Sequence, residues 1–231
     1  MGETLRLVDA CLASLGEEGF AQAFCDLAQT LGIDQIMIFS ISDEGASCLL
    51  SRHFRRSSLA GQLAATYLDG WFRHDPLLPE LLTLPAGSVE TRHMADLGRQ
   101  MSADYRRIFF DTPGLASKTS LLCAGERLRL FVSLYQSEPD AASFDGDLAR
   151  LAGRLALKHF EAVAASDIPA PLAVLSERER AVCLGILSGL KAEAIAAQMG
   201  VAPSTAVTYR KRAYDKLGVT SRAGLFAICG E

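Results

Sequence analysis

A chain of 231 residues with 49% hydrophobic and 22% charged residues has ordinary globular composition. This excludes a collagen-like or wholly disordered polymer and leaves room for one or two domains. The formal charge of −4 argues against a polyanionic partner only until its distribution is considered.

In chain order, amphipathic helices are expected over about 4–14 and 20–31. The apolar run Gln35-Ile36-Met37-Ile38-Phe39-Ser40-Ile41 reads as a strand. Residues 48–53 are expected to pair with it across the turn Asp43-Glu44-Gly45, and a helix over about 58–73 follows. Asp75-Pro76 ahead of Leu77-Leu78 is an ordinary helix start, with Asp as cap and Pro in the first turn. Residues 120–124 and 128–135 flank Gly125-Glu126-Arg127 as a hairpin, and a long helix begins near Phe144. Strands packed by helices suggest an α-β-α layered, sensor-like domain of α+β class. Arg106-Arg107 beside Phe109-Phe110 reads as a solvated face next to core.

The clearest boundary is Ser166-Asp167-Ile168-Pro169-Ala170-Pro171, where two prolines disfavour helix. It divides the chain into a domain at 1–165, a linker at 166–171 and a domain at 172–231. Residues 1–171 carry 15 Lys+Arg against 22 Asp+Glu, whereas 172–231 carry 8 against 5. A small basic unit thus hangs on a larger acidic one, which points to a polyanionic partner for the basic part.

Ser176-Glu177-Arg178-Glu179 is a capping box opening a helix with Val182, Cys183, Ile186, Leu187 and Leu190 on one stripe. A short helix at about 192–199 ends at Gly200. Pro203 suits the first turn of a third helix, 203–217, closed by Gly218. Ala206, Ala213 and Leu217 fall on its core side; Val207, Thr208 and Lys211 fall on another face, with the basic cluster Arg210-Lys211-Arg212. A fourth helix starts near Ser221, with Leu225, Phe226 and Cys229 facing in. A basic, exposed helix after a tight turn is what entry into a DNA major groove about 12 Å wide requires. The alternative from composition alone is a helical cap with merely solvated basic residues.

These residues, together with Leu175, Gly189-Leu190, Ile195-Ala196, Thr205, Tyr209, Lys216-Leu217-Gly218-Val219 and Ser221-Arg222, resemble the LuxR-type (GerE-like) DNA-binding domain over about 172–229. The resemblance implies an all-α four-helix unit that reads double-stranded DNA through its third helix as part of a homodimer. It implies base contacts at Val207, Thr208 and Lys211, and phosphate contacts around Ser204, Thr205, Lys216, Ser221 and Arg222. Arg210 and Arg212 complete the expected DNA face. Two departures stand out. The usual capping Ser or Thr of the third helix is Ala202, unless Ser204 substitutes, and a usually apolar position is Arg210, free to snorkel to phosphate.

The resemblance extends upstream to the family's autoinducer-binding domain. Trp71, four residues before Asp75-Pro76, looks like the family's aromatic-x-x-x-Asp-Pro element, whose carboxylate accepts from the ligand amide. Tyr67, Trp71, Asp75 and Ser133 are the implied pocket residues. Where the family carries an upstream Trp and Tyr, this chain has Gln62 and Thr66, with Tyr67 one position out of register. Trp71 is the single tryptophan, so a usual donor to a lactone carbonyl is missing. The reading is a small-molecule-responsive regulator related to quorum sensing, with a variant pocket rather than a standard acyl-homoserine lactone site. The alternative is a ligand-independent regulator whose N-terminal domain only dimerises or binds a protein.

No nucleophile elbow, phosphate loop, dinucleotide motif or zinc-protease motif occurs, so no enzyme and no cofactor are expected. The four histidines show no metal spacing. The six cysteines lack Cys-x-x-Cys pairs and read as small buried hydrophobes in a reducing cytoplasm. Neither a signal peptide nor a membrane span is apparent.

Overall fold

The structure, a computed structural model, describes residues 2–42, 45–94, 100–138, 146–165 and 169–229. Helices α1 (Gly2–Ala13) and α2 (Phe20–Thr30) lead into an antiparallel pair, β1 (Gln35–Ile41) and β2 (Ala46–His53). Helix α3 (Ser57–Leu68) follows, then a single 3-10 turn (Trp71–His74), α4 (Leu78–Thr83), β3 (Val89–His93), and α5 (Ala103–Arg106), which runs into a π turn (Arg107–Asp111). Strands β4 (Ser117–Ala124) and β5 (Arg129–Gln136) form the second hairpin, and α6 (Gly146–Ala164) closes the first unit. Asp43 and Glu44 of the expected turn, and Phe144 of the expected helix start, lie outside the described residues.

The five strands make one antiparallel sheet in the order β2-β1-β5-β4-β3. β1, β4 and β5 are buried on both sides, because helices cover both faces. Alternation divides the side chains. Ile36, Ile38, Leu121, Cys123, Val132 and Leu134 meet α2 and α6 through Phe20, Phe24, Leu155 and Phe160. Met37, Phe39, Leu122, Phe131 and Tyr135 meet α3, α4 and α5 through Leu63, Tyr67, Leu81, Tyr105 and Phe109. The sandwich expected from the strand and helix pattern is thus present, with one strand more. Val89–His93 is short, and only its first residue is buried, so periodicity alone gave it little signal.

The helix expected over 58–73 is interrupted. It stops at Leu68, and Gly70 takes a φ of +93° before the 3-10 turn. That reversal turns Trp71 and Asp75 back over the sheet. The Arg106-Arg107 pair is exposed beside buried Phe109 and Phe110, as its sequence suggested. All six cysteines are thiols outside any disulfide; five are buried and Cys229 is half-buried. No helix among the described residues is long and apolar enough to cross a membrane.

Residues 166–168 of the expected linker lie outside the described residues; after them, a 3-10 segment (Ala170–Val174) packs on β2. Four helices follow: α7 (Glu177–Leu187), α8 (Ala192–Met199), α9 (Pro203–Leu217) and α10 (Arg222–Cys229). Of the inward residues expected on α10, Leu225 is buried, while Phe226 and Cys229 are only partly covered; Ile228 takes the remaining core position. Their small core is continuous with that beneath the first sheet face, through Leu172, Val174, Leu175, Val182, Ala213, Leu217 and Leu225.

Candidate functional site

The C-terminal unit holds its helices by local chemistry. The Ser176 hydroxyl accepts from the Glu179 amide at 3.3 Å, and Glu179 accepts from the Ser176 amide at 2.9 Å. This completes the capping box at the start of α7. Gly200 and Gly218, with φ of +65° and +68°, end α8 and α9 in the left-handed conformation that only glycine adopts at little cost. Helix α9 rests on the other helices through Ala206, Ala213 and Leu217, all buried. Its opposite face stands in solvent: Ser204, Val207, Thr208, Arg210, Lys211 and Arg212 are exposed, and Thr205 is half-covered. Val207, 43% exposed, is one of the few large hydrophobic side chains in the open.

No side chain caps α9 at Ala202, so Ser204 does not take over that role. The Ser204 carbonyl instead accepts from the Thr208 hydroxyl at 3.0 Å. In the first turn of α9 Pro203 has no amide hydrogen and the Thr205 amide donates to the Ala202 carbonyl at 2.9 Å, which leaves the Ser204 amide for an external acceptor beside an exposed cationic face. That is the arrangement that receives a phosphate. Three residues of the implied phosphate set have partners within the fold. Lys216 Nζ lies 2.7 Å from Glu179 Oε2, tying the end of α9 to the start of α7. Burial pushes the Glu179 carboxyl up, but Lys216 and the Ser176 amide outweigh it and hold it below its ordinary value. Arg222 donates to the Ile186 carbonyl at 3.2 Å and lies over the Phe226 ring. The Ser221 hydroxyl accepts from the Gly224 amide at the start of α10.

On the sheet's second face, three of the four implied pocket residues come together. Asp75, 3% exposed, follows the 3-10 turn. Its Oδ2 accepts from Tyr105 Oη at 2.7 Å and from Tyr67 Oη at 3.2 Å, and lies 3.5 Å from Lys118 Nζ. Its Oδ1 accepts from the Leu77 amide at 3.0 Å and closes a turn ahead of α4; the helix cap read from Asp-Pro does not form, because α4 starts only at Leu78, with Leu77 as its uncapped N-cap. Trp71 is half-buried and packs against Tyr105 and Phe109. Ser133 is buried on β5 of the same face, opposite Ser120 of β4.

Burial and the Asp75 carboxylate push the Tyr67 and Tyr105 hydroxyls well above their ordinary pKa, so both remain donors. Burial opposes charge on Lys118, but Asp75 and Tyr135 prevail and keep the ammonium protonated. Sequence reasoning missed Lys118, Tyr105 and Ser120. Lys118 had a legible signal, because its alternation with Ser120 and Leu122 along a buried strand points a lysine inward. Tyr105 had none, since it reaches Asp75 across 30 residues.

The two units touch. The Glu18 carboxylate accepts from the Glu177 amide at 2.9 Å, placing a negative charge at the N-terminus of α7. The end of α9 meets α3 backbone to backbone: a Cβ added to Gly61 would lie 3.1 Å from the Gly218 carbonyl oxygen and 3.2 Å from its Cα.

Comparison with known proteins agrees with this geometry. Residues 173–228 match the family described as bacterial regulatory proteins, luxR family (GerE). A stretch of 59 residues is 52% identical to the transcriptional regulatory protein NarL of Mycobacterium tuberculosis, covering 25% of this chain and 27% of that protein's length. An HTH-type transcriptional regulator encoded in the exeN 3' region of Aeromonas salmonicida is 29% identical over 182 residues, 67% of this chain and 92% of that one. Among solved structures, the ligand-binding domain of VqsR from Pseudomonas aeruginosa superposes with a TM-score of 0.51 at 16% identity, over 71% of this chain and 98% of that one. This last likeness is one of fold. The C-terminal unit is a luxR-family helix-turn-helix domain, and the relatives that match are transcriptional regulators rather than enzymes.

Proposed function

We propose that this chain is a transcriptional regulator that inserts α9 into the DNA major groove as a homodimer and answers to a small molecule held over the second face of its N-terminal sheet. The observation that carries the DNA reading is the division of α9. Ala206, Ala213 and Leu217 are buried, whereas Thr208 and Lys211 stand in solvent beside Arg210 and Arg212. A helix held by its small residues and free on its cationic side can enter a groove without rearrangement.

Two half-sites, about one helical turn apart, double the few side chains available for base readout. Selection of duplexes from a random pool by the full chain, followed by anisotropy titrations over a salt series, tests this. A selected palindromic motif, lost in Thr208→Ala and Lys211→Ala, supports the proposal; the same affinity for every duplex, with variants unchanged, refutes it.

The sensing role rests on the sandwich fold and on Asp75, Tyr67 and Trp71, which gather as the family resemblance implies. A pocket here would lack the second tryptophan of a standard acyl-homoserine lactone site, and it would have the buried Lys118 beside Asp75. A second reading is favoured by the same cluster: Asp75 has its donors inside the protein, and the aromatic rings around it are in contact, with Phe39 and Tyr67 centroids 4.4 Å apart. On that reading the N-terminal domain regulates by dimerising or by protein contact. Full operator binding by protein purified free of small molecules, with no response to added extract, distinguishes it.

A further inference from the structure

Four donors already meet Asp75: the Tyr105 and Tyr67 hydroxyls, the Lys118 ammonium and the Leu77 amide. A carboxylate has about four lone-pair sites, so this one has little need of a donor from a ligand. The unfilled capacity next to it is of the opposite kind. Lys118 carries three N–H donors and is directed to Asp75 and Tyr135. Two residues along β4, on the same face, the Ser120 hydroxyl is 1% exposed and has no hydrogen-bond partner among the described residues. Ser133 lies opposite it on β5.

A buried hydroxyl without a partner is costly in a folded protein, and one beside a buried ammonium calls for an acceptor. Gln35 Oε1 is also unpartnered on this face, but it sits two strands away, and an amide can present either its oxygen or its nitrogen. It therefore sets no preference.

We infer that Lys118 and Ser120 form the head-group subsite of the proposed sensing pocket, and that its ligand is a neutral, largely apolar molecule bearing a carbonyl acceptor without an adjacent N–H donor. The inference rests on the sensing reading above and names the chemistry it selects. Neutrality follows from charge. Lys118 and Asp75 already cancel at 3.5 Å, so a ligand carboxylate would add an uncompensated buried charge, whereas a ketone or lactone carbonyl adds none. The apolar body follows from the neighbourhood: Phe39, Tyr67, Trp71, Phe109 and Phe131 belong to the apolar cluster on the same face of the sheet. Beside α3 and α4, the cover over this face includes short pieces, the 3-10 turn at 71–74, the single turn of α5 and the π turn at 107–111. Displacing these breaks few helical hydrogen bonds.

The test is a matched series on the full chain, read by thermal shift and titration calorimetry. The probes are γ-dodecalactone and 2-undecanone, which carry a carbonyl and no N–H, against N-octanoyl-homoserine lactone and decanoate. The expected order is the two carbonyl probes first, at least tenfold tighter than the amide and the acid. Ser120→Ala, which removes only an unpartnered hydroxyl, folds and weakens the carbonyl probes several-fold. Because Lys118→Met alone strands the Asp75 charge, the charge-neutral pair Asp75→Asn with Lys118→Met is the second variant; it is expected to lose at least tenfold.

Equal binding of carbonyl probes by wild type and both variants overturns the assignment, as does preference for the amide or the acid. If no carbonyl probe binds, the assignment also fails; DNA binding by the same preparation then shows that the regulator reading stands without it.

Discussion

Replacing Gly61 by alanine separates two effects of opposite sign. Gly61 lies within α3, where alanine is favoured over glycine by about 1 kcal/mol from helix propensity. An alanine on an open helix surface would therefore stabilise the chain. Here the new Cβ lies 3.1 Å from the Gly218 carbonyl oxygen and 3.2 Å from its Cα. Both neighbours are backbone. Gly218 is held at a φ of +68° as the terminator of α9, so it cannot turn aside as a flexible side chain would. Overpacking of this kind costs about 1–3 kcal/mol. The net is a loss of up to about 2 kcal/mol, or up to about 8 °C in Tm at the roughly 2–4 °C per kcal/mol expected for a chain of this size. Scanning calorimetry gives Tm, and small-angle scattering gives the radius of gyration, which rises if the units separate. A Tm that climbs by about 2–4 °C, with an unchanged radius, would refute the backbone contact between α3 and α9.

Ser176→Ala removes the cap of α7 and is expected to lower stability by about 1 kcal/mol in urea unfolding. Lys211→Ala on the exposed face of α9 should make the dependence of DNA affinity on salt shallower, by about 0.9 log unit for each phosphate that the variant no longer neutralises. Lys216→Met is expected to behave differently: it leaves Glu179 buried without its cation, lowering stability by roughly 1–3 kcal/mol, with the salt slope retained. A salt slope reduced as in Lys211→Ala would show instead that Lys216 releases Glu179 to reach the duplex.

His159 sets an acid limit on the N-terminal domain. It is buried, stacks on Phe20 at 4.0 Å and accepts from the Gly16 amide at Nδ1, and burial lowers its pKa from 6.5 to about 4. Its contribution is complete above pH 6.5 and falls away as the pH drops towards 4, by up to about 3 kcal/mol. Tm measured between pH 7.5 and 4.5 should fall more steeply in the native chain than in His159→Gln, which does not titrate.

The sequence alone determined the C-terminal domain almost completely. Its information is local: a capping box within four residues, glycines where the chain must turn left-handed, alanines at helical spacing on the packed side of α9. Each such signal acts within one or two turns and survives without knowledge of the rest of the chain. It also determined the sandwich class, since buried runs such as Gln35–Ile41 need cover on both faces. What lay beyond it were features made by distant segments. β3 exists because β4 offers an edge to it. Asp75 meets Lys118 and Tyr105 only because Gly70 reverses the chain and three separate elements converge on one face of the sheet. The approach of Gly61 to Gly218 spans the two units. Local chemistry fixes helices and turns, whereas partners of a buried charge are chosen by which segments the fold brings within about 3 Å of it.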